Sequence, residues 1–162
     1  MDLRILYAII LTILPISELR GGLPLAIIYA RENNVPLILV ISLVIMVNIL
    51  MVFFIFFFLD VIHKKLLRVK FYRKFFDLYL GKIQKNIDKF EKRYSSLGFL
   101  ALALFVAIPL PATGAWSGCL IAWILDLDRK KSILGISLGV IIAGILMSLG
   151  TLGFLSFFQI SQ

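Results

Sequence analysis

Glu18 and Arg20 stand inside an apolar N-terminal stretch, in the run Pro15-Ile-Ser-Glu-Leu-Arg-Gly-Gly-Leu-Pro24, where helix breakers interrupt an otherwise hydrophobic segment. An ionisable side chain at membrane depth costs at least about 2.5 to 3.5 kcal/mol, so it faces a cavity or a partner. Two residues apart, the pair would diverge on a regular helix, whereas a loop permitted by Gly21 and Gly22 would let them converge. Desolvation there favours the protonated carboxyl, so Glu18 could take up a proton during transport. Arg20 offers a planar fork of donors suited to an anionic head group, phosphate above all. The plainer reading leaves both at the bilayer interface, snorkelling or paired with each other.

A second interruption, Pro109-Leu-Pro-Ala-Thr-Gly-Ala-Trp-Ser-Gly118, is neutral at the matching places. Thr113, Ser117 and the backbone amides freed by Pro109, Pro111 and Gly114 could supply donors, especially if the arm from Ala115 starts a helix aimed at an anion. Thr113 could equally cap that helix. Trp116 reads first as a packed or interfacial ring, and mid-helix Asn48 as a bond to a neighbouring helix. Asp60 and His63 are spaced for an i, i+3 contact, and Asp126 and Asp128 for a solvated cap beside Arg129 or a salt-bridged gate. The single cysteine, Cys119, reads as a small packing residue. One His and one Cys make no metal site, and no cofactor fingerprint or nucleophile–base pair is present, so no enzyme is expected.

These residues need elements to hold them in a membrane. The chain is 61% hydrophobic, with a mean hydropathy of +1.03, well above a soluble domain. Two segments, Pro36 to Leu59 and Ile133 to Phe158, exceed the roughly 20 residues that span a bilayer. Leu3 to Leu14 and Leu23 to Ala30 flank the first interruption, and Leu97 to Ile108 and Ala115 to Leu125 the second; each run enters a bilayer without crossing it. Each interruption leads to a long apolar helix carrying Ile41-Ser-Leu43 or Ile136-Ser-Leu138, then Ile49-Leu-Met51 or Ile145-Leu-Met147. An internal repeat is therefore expected. Leu3 to Leu14 has the length of a signal-peptide core, but Glu18 and Arg20 stand where a cleavage site of small residues would be, so it is read as retained.

Of 17 basic residues, eleven lie between Lys64 and Arg93, interleaved with Leu67, Phe71, Phe75, Leu78, Ile83, Ile87 and Phe90 at helical spacing. This predicts a basic amphipathic helix along the cytoplasmic interface and not a nucleic-acid surface. If both interrupted segments are hairpins, linker 63–96 and turn 126–132 fall together in the cytoplasm, as the positive-inside rule requires. The hairpins then enter from opposite leaflets and the repeat is inverted. The expected fold is an all-α multi-pass protein of the cell membrane, a single domain over 1–162. Repeat 1 covers 1–62 and repeat 2 covers 97–162, each a re-entrant hairpin followed by a transmembrane helix. Gly135, Gly139 and Ala143, with Gly144 and Ser148, suit close packing against the other repeat or a second copy.

Through PISELRGGLPLAI at Pro15 to Ile27 and PLPATGAWSG at Pro109 to Gly118, each followed by a long apolar helix, the chain resembles the small multidrug export protein family. That family is similar in layout to the DedA and VTT superfamily, membrane proteins with opposed re-entrant hairpins implicated in translocating polyprenyl phosphates or scrambling phospholipids. The resemblance implies roles for Glu18 and Arg20; the DedA pattern has an arginine in the second hairpin, and this chain has none before Arg129. The expectation is a dimeric transporter of an anionic, lipid-like cargo with membrane lipids as partners, proton-coupled and without a cofactor. The alternatives are an exporter of cationic amphiphiles, which would use Glu18, and a non-transporting membrane scaffold.

Overall fold

The computed structural model describes residues 3–15, 17–63, 78, 98–110 and 113–160. Pro111 and nearly all of linker 63–96 lie outside them. Among the described residues there are six helices and no strand: α1 (Leu3–Ile13), α2 (Glu18–Glu32), α3 (Leu37–Phe57), α4 (Gly98–Ala107), α5 (Ala115–Ile124) and α6 (Arg129–Ile160). A π-helical turn, Phe58–His63, prolongs α3.

Two stretches are long and apolar enough to cross a membrane, Leu37–Val61 with 25 residues and Arg129–Phe157 with 29. Only 28% and 39% of their most apolar windows are buried, whereas the core helix of a soluble protein would be mostly covered. Leu39, Met46, Leu50 and Phe53 on α3, and Leu138, Ile142, Ile145 and Leu149 on α6, face outward. Such faces suit lipid as the solvent.

The first two helices fold back on each other. Arg4 near the start of α1 pairs with Glu32 at the end of α2. Gly22 lies so close to Thr12 that a Cβ would overlap its hydroxyl, and that Cβ would sit 2.6 Å from the Ala8 carbonyl oxygen. Gly21 and Gly22 are therefore helical, and the predicted loop of Pro15 to Pro24 is shorter than its sequence suggests. Away from water an unpaired peptide group is costly, so helix persists wherever it can. The glycines instead let α1 and α2 approach, and Pro24 is accommodated inside α2, where it has no N–H for the carbonyl of Arg20. The second hairpin is built alike. A Cβ at Gly118 of α5 would lie 2.8 Å from Val106 of α4, and at the open end Gly98 lies beside Leu127.

Both second arms end in the same cap. Asn34 and Asp126 adopt left-handed φ values of 52° and 48°. The next amides, Val35 and Leu127, reach back to the carbonyls of Ala30 (2.9 Å) and Ala122 (3.0 Å). This six-residue closure is the Schellman motif, which satisfies the last carbonyls of a helix and turns the chain sharply. From the first of these turns α3 runs to Asp60, which meets the end of α5 and the start of α6. The open ends of the hairpins therefore lie at opposite ends of α3.

The side chain of His63 lies outside the described residues, and Asp60 turns to α5 and to the start of α6. It accepts from Arg129 Nη2 through both oxygens (2.8 and 3.0 Å) and from Trp123 Nε1 (3.0 Å), while the Arg129 guanidinium lies 4.2 Å over the Phe56 ring. Asp128 caps α6, accepting from the Lys131 amide at 2.9 Å. The charge beside Arg129 in sequence thus serves the helix, and the ion pair goes to α3.

The small-residue row on α6 corrects a second expectation. Gly135 and Gly139 face α4 of their own half, where a Cβ would lie 2.7 Å from the Phe99 carbonyl and 2.6 Å from that of Ala103. Gly144 faces α3 of the other half, as expected, against Ile45. Gly139→Ala forces α4 and α6 apart and is expected to cost about 1–3 kcal/mol. Gly150→Ala, where nothing lies within 4 Å, is expected to be neutral or stabilising by about 0.5–1 kcal/mol. Thermal unfolding of the detergent-solubilised variants measures the contrast.

Candidate functional site

Pro15 ends α1 and leaves carbonyls that its own helix cannot pair. Three side chains from three elements take them. Ser17 Oγ donates to the Leu11 carbonyl (2.5 Å), Asn48 Nδ2 of α3 to that of Thr12 (3.2 Å), and Trp116 Nε1 of α5 to that of Ile13 (3.1 Å). The break in the first hairpin is thus finished by residues of α3 and of the second hairpin.

The debt runs the other way at α5, whose first amides also have no partner within the helix. Glu18 supplies it. Its Oε2 accepts from the Ala115 amide (3.1 Å) and its Oε1 from the Trp116 amide (3.0 Å), placing a carboxylate at the positive end of the helix. Hydrogen bonds to an ionised group contribute about 1.5–3 kcal/mol each. The carboxylate fits because residue 114 is glycine: a Cβ there would overlap it outright. Gly114 itself has φ −86° and ψ −166°, an extended conformation open to any residue, so the space and not the backbone demands glycine. Glu18, only 6% exposed, is held at a left-handed φ of 45°, a conformation that costs a non-glycine residue roughly 1–2 kcal/mol.

Arg20 goes to the second break and not to Glu18. Its Nη2 donates to Thr113 Oγ1 at 2.9 Å. Thr113 is a hub for that break: its hydroxyl also accepts from the Leu110 amide (3.2 Å) and shares its proton between the carbonyls of Ile108 and Leu110 (2.5 and 2.7 Å). Pro109 creates the need by removing an amide from the α4 ladder. Thr113 therefore stitches the turn, and the cap of α5 comes from Glu18.

The structure brings together Glu18, Arg20, Thr113 and Gly114. Gly21 and Gly22 turn to α1, and Ser117 is buried within α5. Around the meeting point lies a narrow, partly open cleft lined by Glu18, Leu19, Arg20, Asn48, Val106, Pro109 and Gly114, with Val140, Ala143 and Met147 from α6. The α6 residues carry no sequence signal that separates them from ordinary lipid-facing positions. Asn48 does carry one, as an amide alone in an apolar helix; its predicted interhelical bond is present, and its place on the cleft is additional. Trp116 bridges the breaks, giving its amide to Glu18 and its indole N–H to Ile13.

Because the Gly114 clash is with the Glu18 carboxylate, Gly114→Ala and Glu18→Ala are expected to be non-additive. Gly114→Ala should cost about 1–3 kcal/mol in the native background and markedly less beside Glu18→Ala. A double-mutant cycle on thermal or denaturant unfolding reads the coupling.

The family described as "Putative small multi-drug export protein" matches residues 18–146, from Glu18 at the end of the first break through the second and into α6. No curated protein and no solved structure matches the chain. The matched span holds nearly every residue that lines the cleft, and the chain belongs to this family of small multi-drug export proteins.

Proposed function

We propose that the chain is a membrane exporter of amphipathic cations that uses Glu18 as its binding carboxylate. The observation that carries this reading is a buried carboxylate beside a cleft whose other walls are mostly apolar. Leu19, Val106, Val140, Ala143 and Met147 suit the hydrophobic body of such a cargo, and Glu18 its charge. Arg20, on the same cleft and within electrostatic reach, directs its Nη2 to Thr113, and among the described residues the Glu18 carboxylate makes no salt bridge. Its negative charge is held by two amides, which a cation or a proton can compete with without breaking a salt bridge.

In this reading the two hairpins are re-entrant, enter from opposite leaflets and form an inverted repeat whose tips meet at the midplane. Asn48, near the middle of the crossing helix α3, marks that depth. Arg129, Lys130 and Lys131 make their end cytoplasmic by the positive-inside rule. Two full crossings among the described residues are too few to enclose a path, so the working unit is a pair of copies. Proton uptake at Glu18 releases cargo and couples export to a proton gradient.

A second reading is an anionic, lipid-like cargo such as a polyprenyl phosphate, favoured by the reach of Arg20 into the second break at Thr113. Reconstituted vesicles separate the two. With proflavine as the cation, uptake driven by an imposed pH gradient should exceed that of protein-free vesicles. Glu18→Gln should lower it about tenfold or more, because the one negative charge among the described residues that line the cleft is lost in a low dielectric. Arg20→Ala should leave it largely intact. Movement of a fluorescent polyprenyl phosphate that needs Arg20, with no proflavine uptake, would replace the first reading by the second.

A further inference from the structure

Asn48 is 2% exposed, and its amide orientation is fixed, because Nδ2 donates to the Thr12 carbonyl. The other atom, Oδ1, is buried and has no hydrogen-bond partner among the described residues. A buried acceptor left unpaired costs about 1–3 kcal/mol, and most such groups in folded proteins are satisfied. Asn48 and Glu18 line the same cleft. Each oxygen of Glu18 accepts one amide proton there, and an ionised carboxylate has about four acceptor sites, so capacity remains. The cleft therefore combines the Glu18 carboxylate with acceptors in want of protons. The Arg20 guanidinium on the same cleft keeps its charge and gives one N–H to the neutral Thr113 hydroxyl.

We propose that this cleft selects cations that carry at least one N–H, protonated primary, secondary or tertiary amines, over quaternary ammonium ions, and that Asn48 is the residue that discriminates. The proposal rests on the reading of Glu18 as the site for cationic cargo and narrows its chemical class. A protonated amine gives its charge to Glu18 and a proton to Asn48 Oδ1. A quaternary head satisfies the carboxylate by proximity and leaves Oδ1 as it stands, buried and without a proton. A site built to hydrogen-bond a ligand rejects the analogue that lacks the donor.

Three ligands of one scaffold test this on the detergent-solubilised full chain: 4-phenylbutylammonium, its N,N-dimethyl form and its N,N,N-trimethyl form, all cationic at pH 7. Displacement of bound proflavine gives each affinity. The primary and dimethyl ligands should bind alike, and the trimethyl ligand about tenfold more weakly. Asn48→Leu, of similar size, should bring the dimethyl-to-trimethyl ratio to about one. The wild-type series suffices if that variant fails to fold, because exclusion by bulk alone would lower affinity already between the primary and dimethyl forms. Equal affinity for all three, or a drop at the dimethyl form, would overturn the donor requirement while leaving Glu18 as a cation site. If Glu18→Gln binds all three as well as the wild type, or the wild type binds none, both the selectivity and the cation reading are overturned.

Discussion

The carboxylate of Glu18, lodged against the amides of Ala115 and Trp116, ties the two halves of the chain together where each is broken. The constraint behind it is general. A peptide group without a partner is tolerated in water and costly in a bilayer, so interrupted backbone at membrane depth must be completed by something. Here each break is completed in part by the other half. The start of α5 takes its cap from Glu18, the end of α1 takes donors from Trp116 and Asn48, and the second turn receives Arg20. Proline and glycine create the open positions, and the exchange of side chains fixes where the hairpin tips must meet.

That exchange places the candidate site at the junction. A carboxylate that caps a helix is structural, but one held at a left-handed φ against a glycine with no space to spare is held at some cost. Its removal from α5 would loosen the contact between the hairpins. A ligand that draws on Glu18 is thereby coupled to the arrangement of the two halves, which a transporter with alternating access requires. The ion pair of Asp60 with Arg129 and that of Arg4 with Glu32 stand at the two far ends of α3 and tie each hairpin's open end independently of the junction.

Much of the architecture is legible in the residues. The two helices long and apolar enough to cross a membrane follow from length and composition, and the paired interruptions from Pro15 and Pro109, because those properties depend only on local composition. The extent of each break is not legible. Gly21, Gly22 and Pro24 are poor helix residues in water, yet α2 runs through them because close packing on Thr12 and Ala8 outweighs their propensity. Glu18 and Arg20 stand out as charges in an apolar run. Their partners do not, since Thr113 and the Ala115 and Trp116 amides lie far along the chain and a backbone donor has no sequence signature. The likeness of the halves is clearer in the Schellman turns at Asn34 and Asp126 than in shared tripeptides, because a turn is specified by conformation more than by residue identity.

The most direct measurement is the amide nitrogen and proton chemical shift of Ala115 and Trp116 in the solubilised protein, recorded as 4-phenylbutylammonium is added. If Glu18 serves both the cap and the cargo, the ligand draws on the carboxylate and both resonances move together with the same saturation, and in Glu18→Gln neither responds. Resonances that stay fixed while the ligand demonstrably binds would contradict the account, leaving Glu18 a structural cap and placing the cargo elsewhere.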